Sequence, residues 1–189
     1  MRKLGYYIAS TIDGFIAAPD GTADFFPVDP EMAEDLTTRY PETVPTAVRA
    51  AIGLDTANQR FDTVLMGRGT YEAGLATGTA SPYRHLRQYV VSSTLASTAD
   101  PEVELVSGDP LALVRRLKRE EGLDIWLCGG GGLAGSLLPE IDELIVKRYP
   151  VAVGAGVPLF AGEFAPTRFD PVDTRAFDNG TVVTTYARA

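Results

Sequence analysis

The chain has 189 residues, 45% of them hydrophobic and 22% charged, with a formal net charge of −8. That length fits one domain with a sizeable core, and the acidic balance excludes general nucleic-acid binding, which needs a basic face to neutralise phosphates. One cysteine (Cys128) and one histidine (His85) exclude an intrachain disulfide and leave no cluster from which to build a zinc or iron site.

The N-terminus runs from Met1 straight into a strand pattern, Leu4–Ser10, without the apolar stretch of a signal peptide. No window approaches transmembrane length, so a cytoplasmic protein without membrane contacts is expected. Thr11-Ile12-Asp13-Gly14 turns the chain into a brief apolar segment, Phe15–Ala17, and residues 18–30 carry the Pro, Gly and Asp of an irregular loop. Asp29-Pro30-Glu31 opens a helix with Met32, Leu36 and Tyr40 at helical spacing. Residues 37–60 are partly helical around Ala47–Ile52 and form a possible insertion or lid.

From residue 60 strands and helices alternate. Thr63–Met66 is a strand stopped by Gly67, and Thr70–Leu75 is helical. Tyr89–Val91 and Val103–Leu105 are short strands. Asp109-Pro110 opens a helix through Arg119 with Leu111, Val114 and Leu117 on one face. Asp124–Cys128 is a strand, Leu133–Leu138 a helix, and Glu143–Tyr149 a strand. Asp178-Asn179-Gly180 joins Arg168–Phe177 to Thr181–Arg188 as a hairpin. Alternation predicts parallel pairing through right-handed crossovers, and the hairpin adds antiparallel strands.

Three strand ends carry anion-friendly chemistry. Cys128 leads into Gly129–Gly132 and Leu133, so a backbone without side chains meets a helix N-terminus that points N–H groups at an anion. A pyrophosphate is the natural guest, and a tight turn without ligand is the alternative. Gly67-Arg68-Gly69-Thr70 repeats the arrangement. Its guanidinium suits a phosphate or plain solvent, and Thr70 suits a helix cap or a ligand. Ser92-Ser93-Thr94 places hydroxyls at a third strand end. Together they fit one nucleotide across the C-terminal edge of a sheet.

The opening strand with Ser10–Ala17, the Val64–Glu72 segment, Val91–Leu95, the glycine loop Cys128–Leu133, and Ile141–Leu144 followed by Pro150 and Gly154–Phe160 resemble the dihydrofolate-reductase-like superfamily in order and content. Within it the chain resembles stand-alone proteins similar to the C-terminal reductase domain of riboflavin biosynthesis proteins, of the 5-amino-6-(5-phosphoribosylamino)uracil reductase type. The resemblance implies a three-layer α/β fold: a mixed, mostly parallel sheet with a C-terminal antiparallel hairpin and helices on both faces. It implies NADP(H) as cofactor. Ala9 and Ile16 would meet the nicotinamide carboxamide, and Gly67, Arg68 and Thr70 the phosphates. Ser92 and Ser93 would lie near the adenosine 2′-phosphate, and Gly129, Gly130, Gly131, Gly132 and Leu133 would wrap the pyrophosphate. Thr94 stands where relatives often carry a basic residue, which bears on the choice between NADP and NAD.

Reduction of a C=N bond also needs a proton, and a carboxylic acid in an apolar pocket can relay one. By position the resemblance points to Asp29 as that acid, with Asp13, Asp24 and Phe25 on the substrate side. Read from the residues, Asp29 before Pro30 is equally a helix cap and Asp13 a turn residue. His85 reads as a surface side chain and Trp126 as core. The expected activity is NADPH-dependent reduction of a small pyrimidine- or pterin-like heterocycle, in a protein that can form a homodimer. Dihydrofolate reductase proper, a non-catalytic nucleotide-binding protein of the same fold, and a module that sequesters a small molecule are the alternatives.

Overall fold

The computed structural model describes residues 1–189. β1 (Leu4–Ser10) turns into the short β2 (Phe15–Ala17), and α1 (Pro30–Arg39) follows the loop. A 3-10 turn (Pro41–Thr43) and α2 (Thr46–Ile52) precede β3 (Phe61–Gly67), which passes directly into α3 (Arg68–Ala76). Then come β4 (Arg87–Val91), β5 (Val103–Val106), α4 (Pro110–Arg119), β6 (Asp124–Gly129) and α5 (Gly131–Leu137). β7 (Glu143–Arg148), the two-residue β8 (Val157–Pro158) and the hairpin of β9 (Phe169–Ala176) and β10 (Val182–Arg188) complete the chain.

The strands form one eight-stranded sheet in the order β5-β4-β3-β6-β1-β7-β10-β9. The first six are parallel, β10 is antiparallel to β7, and β9 is antiparallel to β10. The central strands are covered on both faces, which is why Val64-Leu65-Met66 reads as a continuous apolar run rather than an alternation. On one face Tyr7, Val64, Trp126 and Ile145 pack with Met32 and Leu36 of α1 and Tyr71 of α3. On the other, Tyr6, Leu65 and Leu127 pack with Leu113, Val114 and Leu117 of α4 and with Ala134 and Leu137 of α5. The expected mixed, mostly parallel sheet with helices on both faces is the architecture found.

Three local expectations change. In the terminal hairpin only Gly180 takes a positive φ, +82°. Asn179 acts through its side chain, which accepts the Thr181 N–H at 2.8 Å. Leu159 N–H donates to Gly14 O at 2.8 Å, and β2 pairs with β8 as a second small antiparallel sheet that the sequence did not announce. Of residues 37–60, expected as an insertion or lid, 37–39 end α1 and none lines the cleft at the C-terminal edge of the sheet. The buried Glu42 carboxylate accepts the N–H groups of Gln59, Arg60 and Phe61, and Thr46 N–H donates to Pro82 O. The segment therefore lies along the N-terminal ends of β3 and β4. His85 belongs to this anchor: its ring nitrogens meet Glu42 O at 2.8 Å and Thr46 Oγ1 at 2.9 Å.

Candidate active site

β3 continues through α3 to β4 on one side of the sheet, whereas β6 continues through α5 toward β7 on the other. Where successive crossovers part in this way, a crevice opens at the carboxyl ends of the strands. Here a cleft of 1140 Å³ lies at that point, lined by the ends of β3, β4 and β6 and the first turns of α3 and α5. Neither helix has a side-chain cap at its N-terminus: Gly67 and Gly130 occupy the two cap positions. The first N–H groups of both helices lack partners within the helix, which suits an anion between them.

The cleft gathers most of the residues expected from the sequence. Ile16, Asp24, Gly67, Arg68, Thr70, Ser92 and Ser93 line it, together with Gly129–Gly132 and Leu133. Their roles divide more finely than the sequence suggested. A Cβ on Gly67 would sit 3.3 Å from Gly130 N, so the two loops pack glycine against glycine. A Cβ on Gly131 would run into Pro158 O, and Ala161 N–H donates to Gly131 O at 2.9 Å. Gly131 is thus required by the chain that crosses it rather than by a ligand. A Cβ on Gly132 would meet nothing within 4 Å. The peptide between Gly129 and Gly130 is cis. Thr70 does not cap α3; a Cβ on Gly129 would stand 3.3 Å from its Oγ1.

Ser92 is buried, and its Oγ accepts the N–H groups of Thr94 at 3.2 Å and Leu95 at 3.0 Å, so this hydroxyl closes its own turn. Ser93 is exposed. Arg68 is the only cationic side chain on the cleft wall. Its Nε donates to Glu72 Oε1 at 2.6 Å and its Nη1 to Thr94 Oγ1 at 2.9 Å. Any phosphate taken by Arg68 competes with the Glu72 carboxylate one helical turn away. The opposite end is apolar, formed by Ile8, Ile16, Ala17, Cys128 and Val157. Burial pushes the Cys128 thiol up to about 12, so it is a neutral wall residue rather than a nucleophile.

Four expected site residues lie elsewhere. Asp29 caps α1, with Oδ1 accepting the Met32 N–H at 2.7 Å, and it does not line the cleft. Asp13 clamps two loops. Thr11 Oγ1 donates to it at 2.6 Å and Gly154 N–H at 2.7 Å, and these bonds hold its carboxyl below the usual range. Phe25 packs on Phe26 at 4.5 Å, and Phe26 in turn on Tyr149 at 4.8 Å. Ala9 lies outside the cleft lining, among the residues flanking the Tyr7–Trp126 core. The one carboxyl raised by burial is Glu143, at the start of β7 beside Arg60 and far from the cleft edge. Asp20 and Thr22 join the lining unannounced, because only folding brings the loop after β2 over the strand ends.

An open crevice at a topological switch point, one polar end and one apolar, is where open α/β sheets bind their ligands. The chain belongs to the family of the RibD C-terminal domain, whose pattern matches residues 2–183. It is 32% identical to the Bacillus subtilis (strain 168) protein YwjB over 161 residues, 84% of this chain and 83% of that one. It is 26% identical to YyaP of the same organism over 200 residues, 98% of this chain and 94% of that one. A putative riboflavin biosynthesis protein from Shewanella sp. PV-4 superimposes with a TM-score of 0.72 at 26% identity, over 100% of this chain and 99% of that one. Dihydrofolate reductase from Enterococcus faecalis, solved with NADP(H), shares the fold with a TM-score of 0.67 at 17% identity, over 98% and 96% of the two chains. A Thermotoga maritima deaminase/5-amino-6-(5-phosphoribosylamino)uracil reductase does so at 0.65 and 16%, over 100% of this chain and 57% of that longer one.

Proposed function

We propose that this protein is an NADPH-dependent reductase of a small pyrimidine- or pterin-like heterocycle. The observation that carries the reading is the cleft between the uncapped N-termini of α3 and α5, polar at the Arg68–Ser93 end and apolar at the Ile8–Ile16 end. Membership of the RibD C-terminal domain family supports it. The volume suits a dinucleotide with room beside it. The N–H groups opening α5 and α3 would hold the diphosphate, Gly132 leaves the approach open, and Arg68 and Ser93 would take the adenosine-side phosphate. Ile8, Ile16 and Val157 would exclude water from the reacting ring. The bound cofactor would supply a hydride to a C=N or C=O carbon.

Thermal shift and NADPH oxidation test the reading together. NADPH should raise the melting temperature, since a ligand that binds only the native state stabilises it. Oxidation should then follow with one of dihydrofolate, aminouracil ribityl compounds or small imines and carbonyls. No thermal shift with NADPH or NADH would refute cofactor binding. A shift without turnover on any substrate would favour the second reading, a nucleotide-binding protein without catalysis. The capping role of Asp29 is the observation on that side. The proposal includes a homodimer, to be checked by sedimentation velocity.

A further inference from the structure

The cleft reaches beyond the strand ends. Gly69, Glu72, Ala73 and Ala76 all line it, and their spacing of i, i+3, i+4 and i+7 makes them one stripe of α3. Seven residues of helix carry that wall about 10 Å away from the sheet edge. The loop Asp20–Asp24 lines the same cleft and leads into Phe26, which packs on the core face that also receives Leu75 of α3. Loop and helix thus rise from one face of the sheet, with an arm of the cleft between them. The α5 side of the cleft belongs to the opposite face. A dinucleotide lying across the strand ends, between the N-termini of α3 and α5, leaves this arm free.

The chemistry of the arm is one-sided. The helix contributes small side chains, so the space along it stays open. The polar groups are the carboxylates of Asp20, Asp24 and Glu72, with the hydroxyls of Thr22 and Thr77. Both hydroxyl protons are spent. Thr22 Oγ1 donates to Asp20 Oδ1 at 2.8 Å, and Thr77 Oγ1 donates to Gly74 O at 2.8 Å. The Thr22 N–H also donates to Asp20 Oδ1, at 3.0 Å, and the two bonds hold that carboxyl below its usual range. Asp24 has no partner in the protein, and a carboxylate can only accept. Arg68, the one cation on the whole cleft wall, is tied to Glu72 and Thr94 and faces the adenosine-side phosphate when a cofactor is bound. No positive charge is left for an anion in the arm.

We propose that this arm receives the tail of the substrate, and that it admits a hydroxylated or amine-bearing tail while refusing one that ends in phosphate or carboxylate. This rests on the reductase reading above and narrows its substrate class. The ring to be reduced lies at the apolar end, beside Ile8 and Ile16, and its substituent runs along α3. Hydroxyl and ammonium groups donate to Asp20, Asp24 and Glu72. An anionic tail would meet three like charges and no compensating cation, and the cofactor's own phosphates add to the repulsion. Exclusion by unfavourable charge discriminates between substrates that share the same reacting ring.

The potential in the arm is measurable without any cofactor. Ala73→Cys places a thiol on the exposed helix wall, and the wild-type protein, whose single thiol Cys128 is kept neutral by burial, supplies the background rate. A trimethylammonium-ethyl methanethiosulfonate should modify the new thiol roughly five- to tenfold faster than the sulfonatoethyl reagent, after correction for their rates with a free thiol. That ratio is expected for a net charge of −2 within a Debye length. Asp20→Asn with Asp24→Asn keeps the acceptor used by Thr22 and should bring the ratio to within twofold of unity. A ratio of one or less in the Ala73→Cys protein would overturn the proposal. The NADPH complex is then titrated with two matched pairs: a ribitylaminouracil and its 5′-phosphate, and 6-methyldihydropterin and dihydrofolate. The member without the anionic tail should bind at least tenfold more tightly in each pair, and the double Asn variant should narrow the preference at least threefold. Anionic members that bind as tightly as their partners would overturn the proposal and leave the reductase reading intact. A complex that binds neither member of either pair would instead refute the reductase reading on which the assignment of the arm rests.

Discussion

Replacing Gly131 by Ala drives a Cβ into the Pro158 carbonyl oxygen and presses on the strand that crosses α5 there. Overpacking of this kind costs about 1–3 kcal/mol. Loss of the Ala161 N–H bond to Gly131 O adds about 1 kcal/mol. The helix preference for Ala over Gly returns about 1 kcal/mol, leaving a net loss of about 1–3 kcal/mol. For a domain of this size that is a fall in Tm of roughly 2–12 °C. Gly132→Ala is the internal control. Its Cβ meets nothing within 4 Å, so stability should stay level or rise by up to about 1 kcal/mol. Its methyl group, however, enters the cleft beside the α5 N-terminus, so the Kd for NADPH should rise at least tenfold. Folded Gly131→Ala should keep its Kd within threefold. Urea denaturation and a cofactor fluorescence titration read the two quantities separately. A Gly131→Ala protein as stable as wild type, or a Gly132→Ala protein that loses stability but not affinity, would refute this division of the glycine loop.

Arg68→Ala should weaken NADPH roughly tenfold, as for loss of a charge-assisted hydrogen bond, and NADH much less. Glu72→Gln frees the guanidinium and should tighten NADPH; equal effects on both cofactors would place Arg68 away from the 2′-phosphate. Asp29→Asn should keep the α1 cap and any turnover, whereas Asp29→Ala should cost about 1 kcal/mol in stability. An Asn variant that folds normally but has lost turnover would reinstate Asp29 as the acid. Asp13 has a lowered pKa in the folded protein, so it binds fewer protons there than when unfolded at acid pH. Its contribution is complete above the ordinary value of 3.8 and is lost as pH falls below it. Asp13→Ala should flatten that acid limb of the Tm profile, and an unchanged limb would sink the assignment.

Much of the fold was legible in local pattern. Asp29-Pro30 and Asp109-Pro110 announce two helix starts, and both carboxylates cap as their chemistry requires. The buried run around Val64–Met66 announces a strand covered on both sides, and Asn179-Gly180 the hairpin. Ser92 illustrates where pattern stops. A hydroxyl at a strand end was visible, but whether it faces a ligand or closes its own turn depends on the path of Thr94 and Leu95. The same holds for residues 41–60, whose lack of strong periodicity left their place open. Glu42 ties them to the far end of β3 through three backbone N–H groups.

The sequence alone singled out Gly67–Arg68, Ser92-Ser93 and Gly129–Gly132 as anion-friendly strand ends, and the fold gathers them in one cleft. Glycines and helix N-termini are local properties, whereas the order of the strands is not. Only the tertiary structure separated Gly131, held by Pro158 and Ala161, from Gly132, which faces open space. It also moved Asp29 out of the cleft. Contacts between residues far apart in the chain, such as Gly131 with Pro158 and Ala161, leave no periodic trace, because distance in space and distance in sequence are then unrelated.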